Sequence, residues 1–375
     1  MNVFNHKRRP GPRETYDLAG ALLEFLDRMK ALDRTETAPC PPEQFALLLT
    51  GPAALRKIPG IPGAMGHETL FVCQRDGGDA AAVREHCRKL YGTDDPAGLE
   101  AFAEKEYNTQ NEYTQFRSFW KGRPCFDESQ LDQRGRFLFN ACKDFAELLA
   151  PIAGRKGFFA FDCAERLGMW RTAVAAGLIT EEEFWKKARP LAAAASDRYD
   201  SFLEYAAGYL CGACYDMFRG QMAEENKVDK DEMRRYVELN CRVLEQLLTG
   251  PWHTAAWYKR PPKQYKLSPG QMRQVLTGYE GGDKVACIAS DRITVDGMPV
   301  GYLYREKPLD PNAPDSGWRI FAGDEDADYM ADATHFEFYH LNTICNYDQT
   351  ILELLNAPAG TAFRRAGDGW QHENR

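Results

Sequence analysis

The 375-residue chain lacks the short words that mark common catalytic folds. It has no GxxxxGK[ST] loop to cradle phosphate, no GxSxG elbow, no HExxH helix, and no GxGxxG opening a helix after a strand. No uncharged stretch approaches the ~18 residues that span a bilayer. Near the N-terminus Lys7, Arg8 and Arg9 are basic, but Pro10 and Pro12 follow where a signal peptide needs an apolar run. Positive charge is in deficit: 47 Lys and Arg stand against 55 Asp and Glu, a net −8, which argues against a general nucleic-acid binder. Cysteine is present, but its 11 copies are odd in number and follow no framework spacing. A chain this long needs no disulfide staples, so reduced thiols and a cytoplasmic setting are expected. Hydrophobic residues at 44% and charged residues at 27% exclude a collagen, a low-complexity scaffold and a wholly disordered chain.

Acid is concentrated rather than spread. Residues 279–375 hold 17 acidic and 8 basic side chains, a net −9, and the preceding residues sum to +1. An acidic surface repels phosphate backbones and speeds encounter with basic partners. The same charge also serves as a plain solubilising surface.

Helical periodicity dominates the first two thirds. Leu18, Leu22, Phe25, Leu26 and Met29 share one face and predict a helix over 16–30. A Pro/Gly-rich stretch runs from Pro39 to Gly66, interrupted by a short helix at Phe45–Leu49. From Ala80 to Leu149 helices alternate with breakers at Gly92, Gly122-Arg123-Pro124 and Pro151. A helix is expected from Phe161 to Ala176, stopped by Gly177. Thr180 and Glu183 have capping-box spacing, with Ile179 and Phe184 placed as a hydrophobic staple. Ser196–Ala223 and Asp231–Leu248 read as two further long helices. The pattern stops at Lys259-Arg260-Pro261-Pro262-Lys263, because adjacent prolines remove donors and bias their neighbours away from helix. The expected organisation is a helical domain over 1–260, a linker over 261–278 and a smaller α+β domain over 279–375.

In that last part Val285–Ala289 reads as a buried strand. Ile293–Val295 and Val300–Tyr304 read as a hairpin around Asp296-Gly297, with Pro299 holding it to an edge. Gly317–Phe321 is a further strand, Asp324–Ala331 a short helix, Phe336–Ile344 a strand, Asn346–Asn356 a helix capped by Asn346, and Phe363–Gln371 a hairpin around Gly367-Asp368-Gly369.

Several groups invite chemistry. Cys211 and Cys214 form a CxxC, but inside a helical run, where three-residue spacing packs two small side chains on one face; a redox pair wants a helix N-terminus instead. No second CxxC or paired His completes a zinc site. Asp324, Glu325, Asp326, Asp328 and Asp332 cluster, yet a calcium loop from Asp324 would need Gly and Glu where Tyr329 and His335 stand. The cluster is read as a solvated helix start or a partner-facing patch. His335, His340 and Cys345 do not suggest a dyad, since an odd separation along a strand puts His340 and Cys345 on opposite faces. Asp162 and Arg166 are one turn apart and can form an ion pair; with Trp170 they could instead make a polar ligand site. No cofactor or metal is expected.

Two stretches resemble known families. Ala289-Ser-Asp-Arg-Ile-Thr-Val-Asp-Gly297, then Val300-Gly-Tyr-Leu-Tyr-Arg-Glu306, then Asp315-Ser-Gly-Trp-Arg-Ile-Phe-Ala-Gly-Asp-Glu325, Tyr329-Met330 and Leu341-Asn-Thr343 are similar to the bacterial domain of unknown function 2185, also classed as the immunity protein 33 domain. The similarity covers roughly 284–371 and implies an α+β module that neutralises a toxin by binding it, without catalysis. Phe161-Asp-Cys-Ala-Glu-Arg166, Ala176-Gly-Leu-Ile-Thr-Glu-Glu-Glu183, Ser201-Phe-Leu-Glu-Tyr205 and Tyr209-Leu-Cys-Gly212 resemble the bacterial domain of unknown function 1266, the YbeU/YbeR-like family, which implies an all-α fold and carries over no activity. That resemblance is strongest over 157–223, although Phe161 and Phe202 stand where the family often has Trp.

The expected protein is thus a cytoplasmic bacterial binding protein of immunity type. Its toxin partner is contacted by Trp318, Tyr302, Tyr304, Asp324, Glu325 and Asp326, with no nucleic acid and no membrane involved; the other reading of Trp318 and the two tyrosines is that they form the core of the domain. An enzyme or small-ligand binder with a site near Asp162, Arg166 and Trp170 is one alternative; a structural adaptor is another.

Overall fold

The computed structural model describes residues 17–32, 39–55, 80–308 and 312–374; the basic N-terminus and the Pro/Gly-rich stretch beyond Leu55 lie outside them. Helices fill the first part: α1 (Leu18–Lys30), α2 (Pro42–Leu49), α3 (Gly51–Leu55), α4 (Ala80–Tyr91), α5 (Pro96–Glu106), α6 (Thr109–Trp120), α7 (Gln133–Ala153), α8 (Phe159–Ala175), α9 (Glu181–Arg198), α10 (Phe202–Glu225), α11 (Lys230–Thr249) and α12 (Pro251–Thr254). α8 is buried almost all round and lies against α9 and α10, so it is the central rod of the bundle. Its apolar and small residues join one continuous core with Phe45, Tyr113, Phe184, Phe202, Leu244 and Trp252. Among the described residues no helix is long and apolar enough to cross a membrane.

Local chemistry explains most boundaries. Gly177 takes φ +66°, the left-handed turn that ends α8. Thr180 and Glu183 close the expected capping box at α9. Two boundaries differ from expectation. Pro151 does not break α7, which continues to Ala153; the ring removes one donor, the one that would reach the Glu147 carbonyl, and the helix ends two residues later. The helix expected from Ser196 to Ala223 is two. α9 ends at Arg198, Tyr199 is extended, and the Ser201 side chain accepts from Glu204 N–H to start α10. Lys259 fixes that corner by donating to the carbonyls of Ser196 (3.1 Å) and Tyr199 (2.8 Å) and to the Asp200 carboxylate (2.7 Å).

The C-terminal part is a six-stranded sheet in the order β4-β1-β3-β2-β5-β6. Its strands are β1 (Ala286–Ser290), β2 (Tyr302–Arg305), β3 (Asp315–Phe321), β4 (Phe336–His340), β5 (Thr361–Ala366) and β6 (Gly369–Asn374). β1 and β3 are parallel and the other neighbours antiparallel. Short helices α13 (Asp291–Thr294), α14 (Ala327–Ala331) and α15 (Leu341–Tyr347) interleave with them. A second core joins Cys287, Ala289, Leu303, Trp318 and Ile320 of the sheet to Leu341, Ile344, Ile351 and Leu355. The architecture is therefore a helical part followed by an α+β part, as expected.

Several local expectations in this part are corrected. Ile293 and Thr294 belong to α13, not to a hairpin, because the Ser290 hydroxyl accepts from Arg292 N–H and starts a helical turn. β2 pairs instead with β3 and β5, an interior position, and Pro299 precedes it. The strand from Phe336 stops at His340, whose ring accepts from Asn342 N–H and caps α15. Asn346 caps nothing; its amide bonds both Arg273 N–H and C=O, while Asp348 caps the following 3₁₀ turn. The final hairpin forms as expected.

β3 bends at a register shift opposite β1, and Gly317 there has φ +81°. A Cβ on Gly317 would lie 2.0 Å from the Glu306 carbonyl oxygen. Gly317→Ala is expected to lower unfolding free energy by about 2–4 kcal/mol, read by urea denaturation.

Candidate functional site

Asp162 and Arg166 project from α8 toward the α5–α6 joint, and among the described residues no ion pair joins them. Asp162 accepts from the Thr109 N–H (3.0 Å) and hydroxyl (2.7 Å) and from the Gln110 N–H (2.8 Å). These are the first donors of α6, whose own N-cap residue Asn108 makes no side-chain bond. Arg166 donates to the carbonyls of Tyr107 (2.9 Å) and Ala103 (2.9 Å) at the end of α5. A carboxylate at a helix start and a guanidinium at a helix end both complement the helix dipole. The pair is thus a clamp that seats two helices on a third. Burial pushes the Asp162 carboxyl above the usual range, against its three hydrogen bonds. Trp170 is buried in the core, with Lys187 Nζ 4.4 Å over its ring. The structure does not gather these three residues into a ligand site.

A second polar group, which the sequence reasoning missed, lies on α10. Arg219 donates to Glu112 (2.7 Å), Asp216 (2.6 Å) and the Glu106 carbonyl (2.8 Å), and the Tyr215 hydroxyl donates to Glu112. It fastens α5, α6 and α10. Burial lifts Asp216 to about 6 despite the Arg219 charge. Cys211 and Cys214 lie fully buried on the same helix, where burial pushes both thiols up and leaves them inert. Among the described residues no group of three or more His, Cys, Asp or Glu is arranged to hold a metal ion.

The sheet offers a different kind of site. One face carries the second core; the other faces away from it. Across that open face the register aligns Phe338 with Ile288, Ile288 with Arg319, Arg319 with Tyr304, and Tyr304 with Ala362. Beside that row lie Phe336, Phe321 and Tyr302, with Phe321 stacked on Tyr304 at 5.8 Å. Ile288, Tyr304, Phe321, Phe336 and Phe338, together with Met330 of α14, line a groove of about 440 Å³. Phe338 is 70% exposed and Met330 46%. The charges on this face are already paired: Arg319 sits between Asp315 (2.8 Å) and Glu306 (2.7 Å), and Arg364 bonds Glu373 (2.8 Å) while covering the Tyr302 ring.

The six expected contact residues scatter. Tyr302 and Tyr304 are half-buried on the open face. Trp318 is fully buried on the other, its indole N–H donating to the Leu355 carbonyl at 3.1 Å; strand alternation makes it a core residue, with no surface to offer. Asp324 pairs with Arg292. Glu325 accepts from the Ala322 and Gly323 N–H groups, and Asp326 caps α14. His335 stacks on Tyr329 at 4.0 Å, His340 caps α15 and Cys345 is buried, so no Cys-His dyad is assembled.

The segment carrying the open face has a family. Residues 287–374 match the Immunity protein Imm33 domain. Residues 75–257 match the Protein of unknown function (DUF1266) family. No curated protein and no solved structure matches the chain. The Imm33 match spans all six strands except the first residue of β1, and so contains the whole aromatic face. The DUF1266 match spans the Asp162–Arg166 clamp and the Arg219 group. Phe336, Phe338, Ile288, Phe321 and Met330 were missed at sequence level, although Phe336 and Phe338 alternate at strand spacing.

Two outcomes test the helical part. Asp162→Ala strands three buried donors at α6 and is expected to cost about 2–3 kcal/mol of stability by urea unfolding. Asp216 binds its proton more tightly folded than unfolded. Its contribution is therefore full below about 3.8 and fades as pH rises through about 6. Asp216→Asn should gain stability relative to the parent as pH is raised from 4 to 7, by the same assay.

Proposed function

We propose that the chain is a non-catalytic immunity-type protein that neutralises a bacterial toxin by docking it on the open face of the C-terminal sheet. One observation carries this reading: within the Imm33 match, half-buried aromatic side chains line a groove open to solvent, with Phe338 and Met330 exposed at its rim, while the neighbouring charges are satisfied inside the chain. Large apolar groups surrounded by paired charges are what a desolvated contact centre requires. The net −9 of residues 279–375 acts at longer range, by speeding encounter with a basic toxin. Asp324, Glu325 and Asp326 contribute to that field rather than to close contacts. The helical part acts as the support, and 261–278 as the joint between two domains in the cytoplasm.

The test is co-expression of the full chain with toxin-domain proteins encoded beside its own gene, scored by growth. One toxin should be neutralised. Phe338→Asp with Tyr304→Asp should weaken binding of that toxin at least 100-fold, since each removes a buried aromatic worth about 2 kcal/mol, with far-UV circular dichroism unchanged. Neutralisation of none of them, or full protection by the double variant, would overturn the proposal.

A further inference from the structure

The open face ends at β4, an edge strand. Its hydrogen-bonding phase follows from one bond and the register. Leu341 N–H donates to the Val285 carbonyl at 2.7 Å, and the pairing continues as Cys287 with Tyr339 and Ala289 with Glu337. In antiparallel pairing every second residue bonds its neighbour. Tyr339 and Glu337 therefore turn their main chain toward β1. Phe336, Phe338 and His340 turn theirs outward. Ala286 agrees, since its N–H points away from β4 to the Pro314 carbonyl at 2.8 Å. Among the described residues no strand pairs with the outer side of β4.

Such an edge is normally blunted by lysine, proline or a bulge. β4 reads Phe-Glu-Phe-Tyr-His and has none of these, and Phe338 and His340 are exposed. Phe336 and Phe338, whose main chain faces out, also turn their side chains toward the groove beside Ile288, Phe321 and Tyr304. Main-chain donors and acceptors therefore adjoin an apolar groove along one line. An occupant that satisfies both must be an extended chain with apolar alternate side chains.

We propose that the partner presents an extended apolar segment that adds to β4 as a seventh strand, bonding the outward N–H and C=O groups of Phe338 and the N–H of His340, whose carbonyl is taken by the first turn of α15, and laying every second side chain in the groove. This rests on the open face being the docking surface. A helix in the groove would fill it but leave that main chain to water, without using it. Arg319, the cation of the groove, is already held by Glu306 and Asp315, so the groove offers nothing to an acidic segment; an uncharged one fits it, and its binding changes little with salt.

The probe is acetyl-Thr-Val-Thr-Val-Thr-Val-amide at millimolar concentration, compared with the same peptide methylated at every amide nitrogen, against the full chain. Methylation keeps the side chains and removes the donors. Amide hydrogen exchange is read residue by residue. The plain peptide should slow exchange at Phe338 and His340 about tenfold or more, leave Tyr339 unchanged, and act equally at low and high salt; the methylated peptide should not protect. Equal protection by both peptides, or none by either, overturns strand addition. Chemical-shift changes at Tyr304 and Phe321 with the plain peptide, without protected amides, would sink strand addition and leave the face as the docking surface. The growth assay with Phe338→Asp and Tyr304→Asp judges the face separately.

Discussion

Along a strand, neighbouring side chains leave opposite faces, and that alternation governs what the C-terminal part can do. Leu303, Trp318 and Ile320 point into the core with Cys287 and Ala289. Tyr302, Tyr304, Arg319, Phe321 and Ile288 then have no choice but the other face. In a sheet covered on one side only, outward positions are usually polar. Here the exceptions, Arg319 and Arg364, are each held by carboxylates. The composition of the outward row is what separates a docking surface from an ordinary wet face.

The helical part obeys a different constraint. A helix end leaves donors or acceptors without partners, and a buried end must find them elsewhere. α8 supplies them for its neighbours through Asp162 and Arg166, and α4 returns the favour when Arg84 donates to the carbonyls of Ala176 (2.7 Å) and Gly177 (3.2 Å) beyond α8. Polar side chains that would suggest chemistry in a list of residues are spent on holding helices together. Nothing in the spacing of Asp162 and Arg166 distinguishes the two uses, because an ion pair, a ligand site and a pair of helix caps all want opposite charges one turn apart.

This marks where sequence-level reasoning works and where it stops. Signals read within a few residues survived: the Thr180 capping box, the Gly177 stop, and the turn at Gly367-Asp368-Gly369. Signals that depend on distant partners did not. Ile293, Thr294 and Val300 have strand-like side chains, but Ser290 starts a helical turn there and Val300 N–H is taken by Asp348 at 3.0 Å. Phe336–Ile344 is apolar enough to run as one strand, and only the cap at His340 ends it. For the site, Tyr302 and Tyr304 were legible as aromatic and Trp318 equally so. Which of them is inside is decided by parity in β2 and β3, and parity needs the register.

The residues between the two cores bear on whether β4 can remain open. Lys263 reaches Asp291 (2.7 Å) and Glu337 (3.1 Å), and Tyr265 donates to Glu337 at 2.7 Å, so this segment grips β4. The grip is made to side chains on the core side of the strand. Glu337 and Tyr339 carry those side chains, and their main-chain groups are the ones committed to β1. The positions left over, Phe336, Phe338 and His340, are not touched by it. The same odd-even division thus anchors one half of β4's residues and leaves Phe338, main chain and exposed side chain together, free to bind. A strand fastened in this way keeps its geometry without a seventh neighbour, which is the condition for a preformed edge that gains a partner without first having to fold.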